Sequence, residues 1–147
     1  MSSAFGSYRG DIDVRDAWSM LQSNPRAVLV DVRTRAEWTF VGIPDLQPVQ
    51  HKPVLLEWQT YPAMAVNGAF VDQLASELKA RGLDESVPVL FLCRSGVRSQ
   101  AAAMAAVAAG FTETYNIAGG FEGPLSSGGH RGEVGGWKAS GLPWIQN

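Results

Sequence analysis

Two short apolar runs limit the folds open to this chain more than any other feature. Residues 27–32 read AVLVDV and residues 88–92 read PVLFL, and both are rich in large apolar side chains. A strand covered on both faces has this composition, whereas a strand with one face in water alternates apolar and polar residues. Apolar residues at helical spacing precede each run, at 14–21 and at 70–78. We therefore predict an α/β domain with a mostly parallel central sheet and helices on both of its faces.

Weaker patterns supply the other elements and bring the predicted sheet to about five strands in a three-layer arrangement. Asp13 and Asn67 are suitable N-cap residues for the two helices. Thr34 and Glu37 form a capping-box pattern at the start of a short helix. The remaining predicted elements are a weak edge strand from 6–8 and 10–12, strands at 54–58 and 114–117, a helix at 99–109 and a loop at 42–53.

We expect residues 1–147 to form one domain, with its core from about residue 13 to residue 144. The chain is 46% hydrophobic and 18% charged, which is typical of a globular protein. Its net charge of −2 gives no field that attracts nucleic acid or an anionic membrane surface. No segment has the roughly 18 consecutive apolar residues that span a bilayer. The first residues also lack the pattern of a secretion signal, so the cytoplasm is the expected location.

The chain has a single cysteine, Cys93, which restricts its possible chemistry. An intrachain disulfide and a zinc site built on several cysteines are both excluded. His51 and His130 lie in predicted loops without companions at metal-ligand spacing, so we predict neither a metal nor a cofactor. A lone cysteine is most often a small buried hydrophobe. Here, however, it directly follows the predicted strand at 88–92 and is followed by an arginine, which favours a functional role.

The segment that begins at Cys93 is the predicted reactive loop. In an open α/β sheet, ligands bind beyond the carboxyl ends of the strands. Loop amides and a helix N-terminus at this point favour an anion, so we expect a thiolate that acts as a nucleophile. Gly96 gives the loop backbone freedom, and Arg98 can brace loop carbonyls or clamp a substrate. The other residues of the predicted anion-binding loop are Arg94, Ser95, Val97 and Ser99, of which the two serines can donate to the sulfur.

Two charged residues at the end of the first apolar run are predicted to support the site without reacting. Asp31 stands where a side chain commonly accepts hydrogen bonds from loop amides. Arg33 can pair with a carboxylate. Glu37 could belong to the pocket as well, but capping the short helix is its predicted role.

Four segments, in order along the chain, resemble the single-domain rhodanese family of sulfurtransferases. They are LVDVRTRAEW at 29–38, CRSGVRS at 93–99, YNIAGGF at 115–121 and GWKASGLPW at 136–144. The resemblance implies the three-layer rhodanese-like fold. It also implies that Cys93 takes a sulfane sulfur from thiosulfate or a similar donor and holds it as a persulfide. A thiophilic acceptor such as cyanide or a thiol would then remove the sulfur, and Arg94 would contact the incoming sulfonate.

The chain departs from the family pattern after the first of these segments. Many members read GHIPGA where this sequence reads VGIPDL, at 41–46. The role of the stretch at 45–62, which reaches Pro62, is left open by the sequence, as is the shape of one pocket wall.

Two other functions fit parts of the same pattern. A persulfide carrier or partner-binding module in a sulfur-relay pathway would use the same Cys93 chemistry, and the residues do not separate it from a thiosulfate enzyme. A phosphatase or arsenate reductase related to the rhodaneses would need a loop that is one residue longer. Four residues separate Cys93 from Arg98 here, which indicates a cradle sized for sulfur and too small for a tetrahedral phosphate.

Overall fold

The computed structural model describes residues 8–60 and 63–146, and a sheet of five parallel strands lies at its centre. The strands in chain order are β1 (Gly10–Ile12), β2 (Val28–Asp31), β3 (Ile43–Pro44), β4 (Val54–Leu55), β5 (Gln59–Thr60), β6 (Ala65–Val66), β7 (Val89–Leu92), β8 (Thr114–Ile117) and β9 (Trp144–Ile145). The helices are α1 (Val14–Ser23), α2 (Arg35–Phe40), α3 (Phe70–Ala80), α4 (Val97–Ala108) and α5 (Gly136–Ala139), with a 3-10 helix at Gln47–Val49. The order in the sheet is β1-β8-β7-β2-β4, and its four pairings are parallel.

Apolar cores cover both faces of this sheet, as the two apolar runs predict. Side chains alternate between the faces along a strand. On one face Val30 and Phe91 lie in a core with apolar residues of α3 and α4. On the other face Leu29 and Leu90 lie in a core with residues of α1 and with Trp137. The predicted three-layer α/β architecture is therefore confirmed.

Helix α4 begins at Val97, two residues before its predicted start at Ser99. Gly96 precedes it with a φ of +112°, a conformation that side chains with a Cβ rarely adopt. Because this glycine turns the chain sharply, Val97 and Arg98 already belong to the first helical turn. The connection from β7 to α4 is correspondingly short, and it holds the start of the helix close to the strand end.

Three differences from the prediction lie at the margins of the fold. Strand β4 is shorter than the predicted 54–58, because its pairing with β2 covers Val54 and Leu55 alone. Helix α3 has Ala69 at its N-cap, and the Asn67 side chain instead accepts the Ala69 amide in the turn before the helix. The weak edge strand is β1 at Gly10–Ile12, whereas residues 6 and 7 of that prediction lie outside the described residues.

The stretch at 45–62 supplies the sheet edge and part of the wall above Cys93. It contains the 3-10 helix, β4 and β5, and β5 pairs with β6 in a small antiparallel ladder. His51 fixes its path, because the ring Nε2 lies 2.7 Å from the Leu21 carbonyl oxygen. Gln59 of this stretch lines the cavity above Cys93, while residues 61 and 62 lie outside the described part.

Candidate active site

Cys93 lies one residue beyond the end of β7, at the bottom of a cavity. The sheet register pairs Asp31 with Leu92, so the carboxyl ends of β2 and β7 meet at this edge. Cys93 is 1% exposed, which places it on the floor of the cavity and not on its rim. The cavity has a volume of about 410 Å³. Its lining residues are Glu37, Gln59, Met64, Cys93, Arg94, Ser95, Val97 and Arg98.

Two groups near the start of α4 are hydrogen-bonded to the sulfur. The Gly96 amide donates to Cys93 Sγ at 3.0 Å, and the Ser99 hydroxyl lies 3.2 Å from Sγ. Within residues 93–99, where several converging amides were predicted, Gly96 supplies the one amide hydrogen bond to the sulfur. The other amides of this segment make no hydrogen bond to the sulfur, and those of Val97, Arg98 and Ser99 belong to the first turn of α4. The helix N-terminus adds partial positive charge at the same point.

A chain of polar side chains extends from the sulfur through the core to Asp11, an exposed residue on the edge strand β1. The Ser99 hydroxyl also lies within hydrogen-bond distance of Asn116 Oδ1, and Asn116 in turn donates to Asp11 Oδ1 at 3.0 Å. Ser99 and Asn116 are both buried. The strand β8 therefore orients the hydroxyl that faces Cys93. The sequence analysis did not assign Asn116 a role, and the available signal was a polar residue inside the predicted strand at 114–117.

Arg98 forms a two-pronged ion pair with Glu37, which the sequence analysis did not predict. Arg98 Nη1 lies 2.7 Å from Oε1 and Nη2 lies 2.9 Å from Oε2. Glu37 also closes the predicted capping box with Thr34. Burial alone would raise the pKa of Glu37, but the Arg98 and Thr34 hydrogen bonds and the charges of Arg98 and Arg33 outweigh it and lower that pKa. Arg98 is thus compensated by a carboxylate and does not brace the loop carbonyls.

Arg94 is the cation of the cavity that remains available to an anion. Its side chain is exposed, and it forms no ion pair within residues 8–60 and 63–146. Ser95 lies beside it in the cavity wall, and Val97 stands at the rim with 76% of its surface exposed. An incoming anion therefore meets a single uncompensated guanidinium.

The turn after β8 holds the backbone of the reactive loop. The Phe121 amide donates to the Cys93 carbonyl at 2.8 Å, and the Glu122 amide donates to the Arg94 carbonyl at 3.0 Å. Gly120 has a φ of +63°, and a Cβ there would lie 2.5 Å from both of those carbonyl oxygens. This close approach requires glycine. The sequence analysis used residues 115–121 only as a segment that resembles the family and assigned them no role at the site.

Asp31 and Arg33 form a fully buried ion pair beneath the site. Arg33 Nη2 lies 2.6 Å from Asp31 Oδ2 and donates to the Gly42 carbonyl at 2.7 Å. The guanidinium carbon lies 4.2 Å from the centre of the Phe121 ring. Neither residue lines the cavity above Cys93. The pair ties β2 to the segment after α2 and to the turn after β8.

The described residues contain neither a candidate metal site nor a candidate membrane span. Between residues 8 and 146, with 61 and 62 left aside, no group of three or more His, Cys, Asp or Glu side chains could hold a metal ion. In the same part of the chain, no helix is both long enough and apolar enough to cross a membrane.

Solved structures with the same architecture define the class of the chain. A crystal structure of Rv0390 from M. tuberculosis is 50% identical, covers 96% of this chain and 100% of its own, and superposes with a TM-score of 0.84. The polysulfide-sulfur transferase homodimer of Wolinella succinogenes is 25% identical, with a TM-score of 0.61 over 99% of this chain and 83% of its own. A rhodanese-like domain from Anabaena shares the fold alone, at 17% identity and a TM-score of 0.54, over 93% of this chain and 79% of its own.

The chain therefore has the rhodanese-like fold, as the four sequence segments predict. The family model described as the STR4 middle domain matches residues 10–147, and the chain belongs to that family. This assignment is coarser than the predicted thiosulfate sulfurtransferase, because it specifies neither a substrate nor a reaction.

Proposed function

We propose that the protein is a sulfurtransferase in which Cys93 carries one sulfur atom as a persulfide. The observation that supports this proposal most directly is the surroundings of the sulfur. The Gly96 amide and the Ser99 hydroxyl lie 3.0 and 3.2 Å from Sγ, at the closed end of a cavity that Arg94 also lines. Donors that point at a sulfur stabilise its anion, which is the nucleophile in such a transfer.

The proposed reaction has two steps, each an attack on sulfur. The Cys93 thiolate attacks the outer sulfur of thiosulfate, the sulfur–sulfur bond breaks, and sulfite leaves with its electron pair. The enzyme then holds a persulfide anion. An acceptor such as cyanide attacks the terminal sulfur, thiocyanate leaves, and the Cys93 thiolate is regenerated.

The residues around Cys93 have separate roles in this proposal. Arg94 binds the oxyanion of the donor, because its charge is not compensated by a carboxylate. Gly96 and Ser99 stabilise the sulfur anion. Arg98 does not contact the donor. It is a positioning residue that joins the start of α4 to Glu37 on α2.

The physiological donor could be polysulfide or a protein persulfide instead of thiosulfate. The Wolinella neighbour is a polysulfide-sulfur transferase, so polysulfide belongs among the donors to test. A sulfur-relay role would use the same Cys93 chemistry with a protein as donor or acceptor. We propose the cytoplasm as the location, because a free catalytic thiol persists in a reducing compartment.

The test is intact-mass spectrometry after brief exposure to thiosulfate or polysulfide. We expect an adduct of one sulfur atom that cyanide removes, with release of thiocyanate. Cys93→Ser should form no adduct. A second control, Cys93→Ser combined with Ser127→Cys, puts the only thiol on an exposed loop residue outside the cavity. If that thiol is loaded as fast as Cys93, or if no sulfane donor loads Cys93, the proposal is wrong.

A further inference from the structure

The polar side chains behind Cys93 form a hydrogen-bonded series that ends at the edge of the sheet. Asn116 Nδ2 donates to Asp11 Oδ1 at 3.0 Å. The Tyr8 hydroxyl donates to the same carboxylate oxygen at 2.8 Å, and Gln100 Nε2 donates to the Tyr8 hydroxyl oxygen at 2.7 Å. The proposed reaction uses none of these four residues, so their arrangement calls for a separate explanation.

The carboxylate of Asp11 fixes the direction of these hydrogen bonds. An aspartate side chain ordinarily ionises well below pH 7, and the ionised form can only accept. Asn116 therefore turns its Nδ2 toward Asp11 and its Oδ1 toward Ser99. The hydrogen bond from Gln100 lowers the pKa of Tyr8, but burial and the hydrogen bond and charge of Asp11 outweigh it and raise that pKa. Tyr8 thus keeps its hydrogen and is a second donor to the same carboxylate.

Asn116 Oδ1 competes with the sulfur of Cys93 for the Ser99 hydroxyl. Among the residues that the structure describes, Ser99 is the one donor within hydrogen-bond distance of this oxygen. Asn116 is buried, and a buried acceptor that loses its hydrogen bond raises the free energy of the protein. The amide therefore opposes any state in which the hydroxyl donates to an anionic sulfur.

We propose that Asn116 and Asp11 are positioning residues that restrain the reactivity of the Cys93 thiol. Asp11 orients the Asn116 amide, and the amide oxygen draws the Ser99 hydroxyl away from the sulfur. The inference rests on the proposed function, because it concerns the same thiol, and it adds a control on how readily that thiol reacts. Neither Asn116 nor Asp11 lines the cavity above Cys93, so both act through Ser99 and not on a substrate.

The rate at which iodoacetamide alkylates Cys93 tests this restraint, because the thiolate is the form that reacts. Asn116→Val removes the competing oxygen and keeps a side chain that suits a buried strand. On the acid side of the pH profile, alkylation should be about tenfold faster than in the unmodified protein, a factor that corresponds to about 1.4 kcal/mol. The two rates should converge at alkaline pH, where the sulfur is anionic in both proteins.

The charged groups around Cys93 are the same in the unmodified protein and in Asn116→Val, so they do not account for a difference between the two. These groups are Arg94, the Arg98–Glu37 pair and the Asp31–Arg33 pair.

Three further variants make the test specific. Asp11→Ala, at an exposed position, frees the Asn116 amide to turn and should also speed alkylation. Ser99→Ala removes the hydroxyl, and in that background neither change should have a further effect. Thr114→Val is the matched control, because Thr114 is another buried polar residue of β8 that bonds to α4, through the Ala103 carbonyl at 3.3 Å. It should leave the alkylation rate unchanged.

Faster alkylation in Asn116→Val that disappears in the Ser99→Ala background supports the inference. A rate equal to or below that of the unmodified protein overturns it, and so does an equal gain in Thr114→Val, which would indicate a general loosening of β8. If Asn116→Val does not fold, the same comparison in Asp11→Ala decides. Alkylation needs no sulfane donor. A protein in which no donor loads Cys93 but Asn116→Val still speeds alkylation would therefore refute the proposed function and leave the restraint in place.

Discussion

At the scale of single residues, Glu37 connects more of the site than any other side chain. It caps α2 through Thr34, holds Arg98 at the start of α4, and lines the cavity above Cys93. Its carboxylate must be ionised to hold the arginine in this way. The pH dependence of the stability should therefore report on this contact.

Glu37→Gln should lower the free energy of unfolding at pH 7 by about 1 kcal/mol, since the pair is partly exposed. The pKa of Glu37 is lowered in the folded protein, so the contribution is present above the pKa of an unfolded glutamate, about 4.3. It is lost as the pH falls through the folded value. Urea unfolding between pH 7 and pH 3 should show the difference between the two proteins shrinking toward acid. Glu133→Gln, at an exposed loop position, should show no such trend. A difference that is constant with pH would contradict the argument.

At the scale of elements, the turn after β8 and the loop after β7 behave as one unit. The turn donates amides to the carbonyls of Cys93 and Arg94, and Gly120 lets the two backbones touch. The reactive loop is therefore shaped from a segment more than 20 residues away in sequence. The two backbones can lie this close together because Gly120 has no Cβ, and the contact leaves no space for one.

Gly120→Ala should destabilise the protein far more than the same change at Gly129. Both glycines have positive φ, so each alanine costs about 1–2 kcal/mol in the backbone. A Cβ at Gly129 meets nothing within 4 Å, whereas one at Gly120 collides with two carbonyl oxygens and adds about 1–3 kcal/mol. Urea unfolding measures both losses. Sulfur loading of Cys93 should also slow in Gly120→Ala and not in Gly129→Ala. Equal losses of stability in the two variants would show that the close contact at Gly120 adds no cost beyond that of the positive φ.

At the scale of the whole molecule, the buried Asp31–Arg33 pair joins distant parts of the chain. Arg33 pairs with Asp31 at the end of β2, donates to the Gly42 carbonyl and lies over the Phe121 ring. Three segments of the chain therefore contact the same guanidinium. A buried pair need not stabilise a fold relative to apolar residues, but breaking one leaves a charge without compensation.

Arg33→Met should lower the free energy of unfolding by about 3–5 kcal/mol, because Asp31 would remain buried without its partner. Adding Asp31→Asn removes that charge and should restore most of the loss. Arg9→Met, at an exposed arginine, should change stability by less than about 0.5 kcal/mol. Denaturant unfolding of the four proteins gives the comparison. A double variant as unstable as Arg33→Met would mean that the Gly42 and Phe121 contacts matter more than the charge.

The sheet and the position of Cys93 could be predicted from sequence because both depend on local patterns. The apolar runs mark β2 and β7, and the cysteine directly follows the second of them. The partners of the loop could not be predicted in the same way. Glu37 and Arg98 are 61 residues apart, and Asn116 meets Ser99 only because β8 lies beside β7. Local spacing carries no information about such pairings, which the tertiary fold decides.

The hydroxyl of Ser99 has one hydrogen and two acceptors within reach, Cys93 Sγ and Asn116 Oδ1. It can satisfy one of them at a time. When the sulfur is anionic, the hydroxyl donates to it, and Asn116 Oδ1 is left without this hydrogen bond. When the sulfur is neutral, the hydroxyl can donate to Asn116 Oδ1 again. In the proposed reaction, the hydroxyl would therefore rotate between these two acceptors each time Cys93 is loaded with sulfur and discharged.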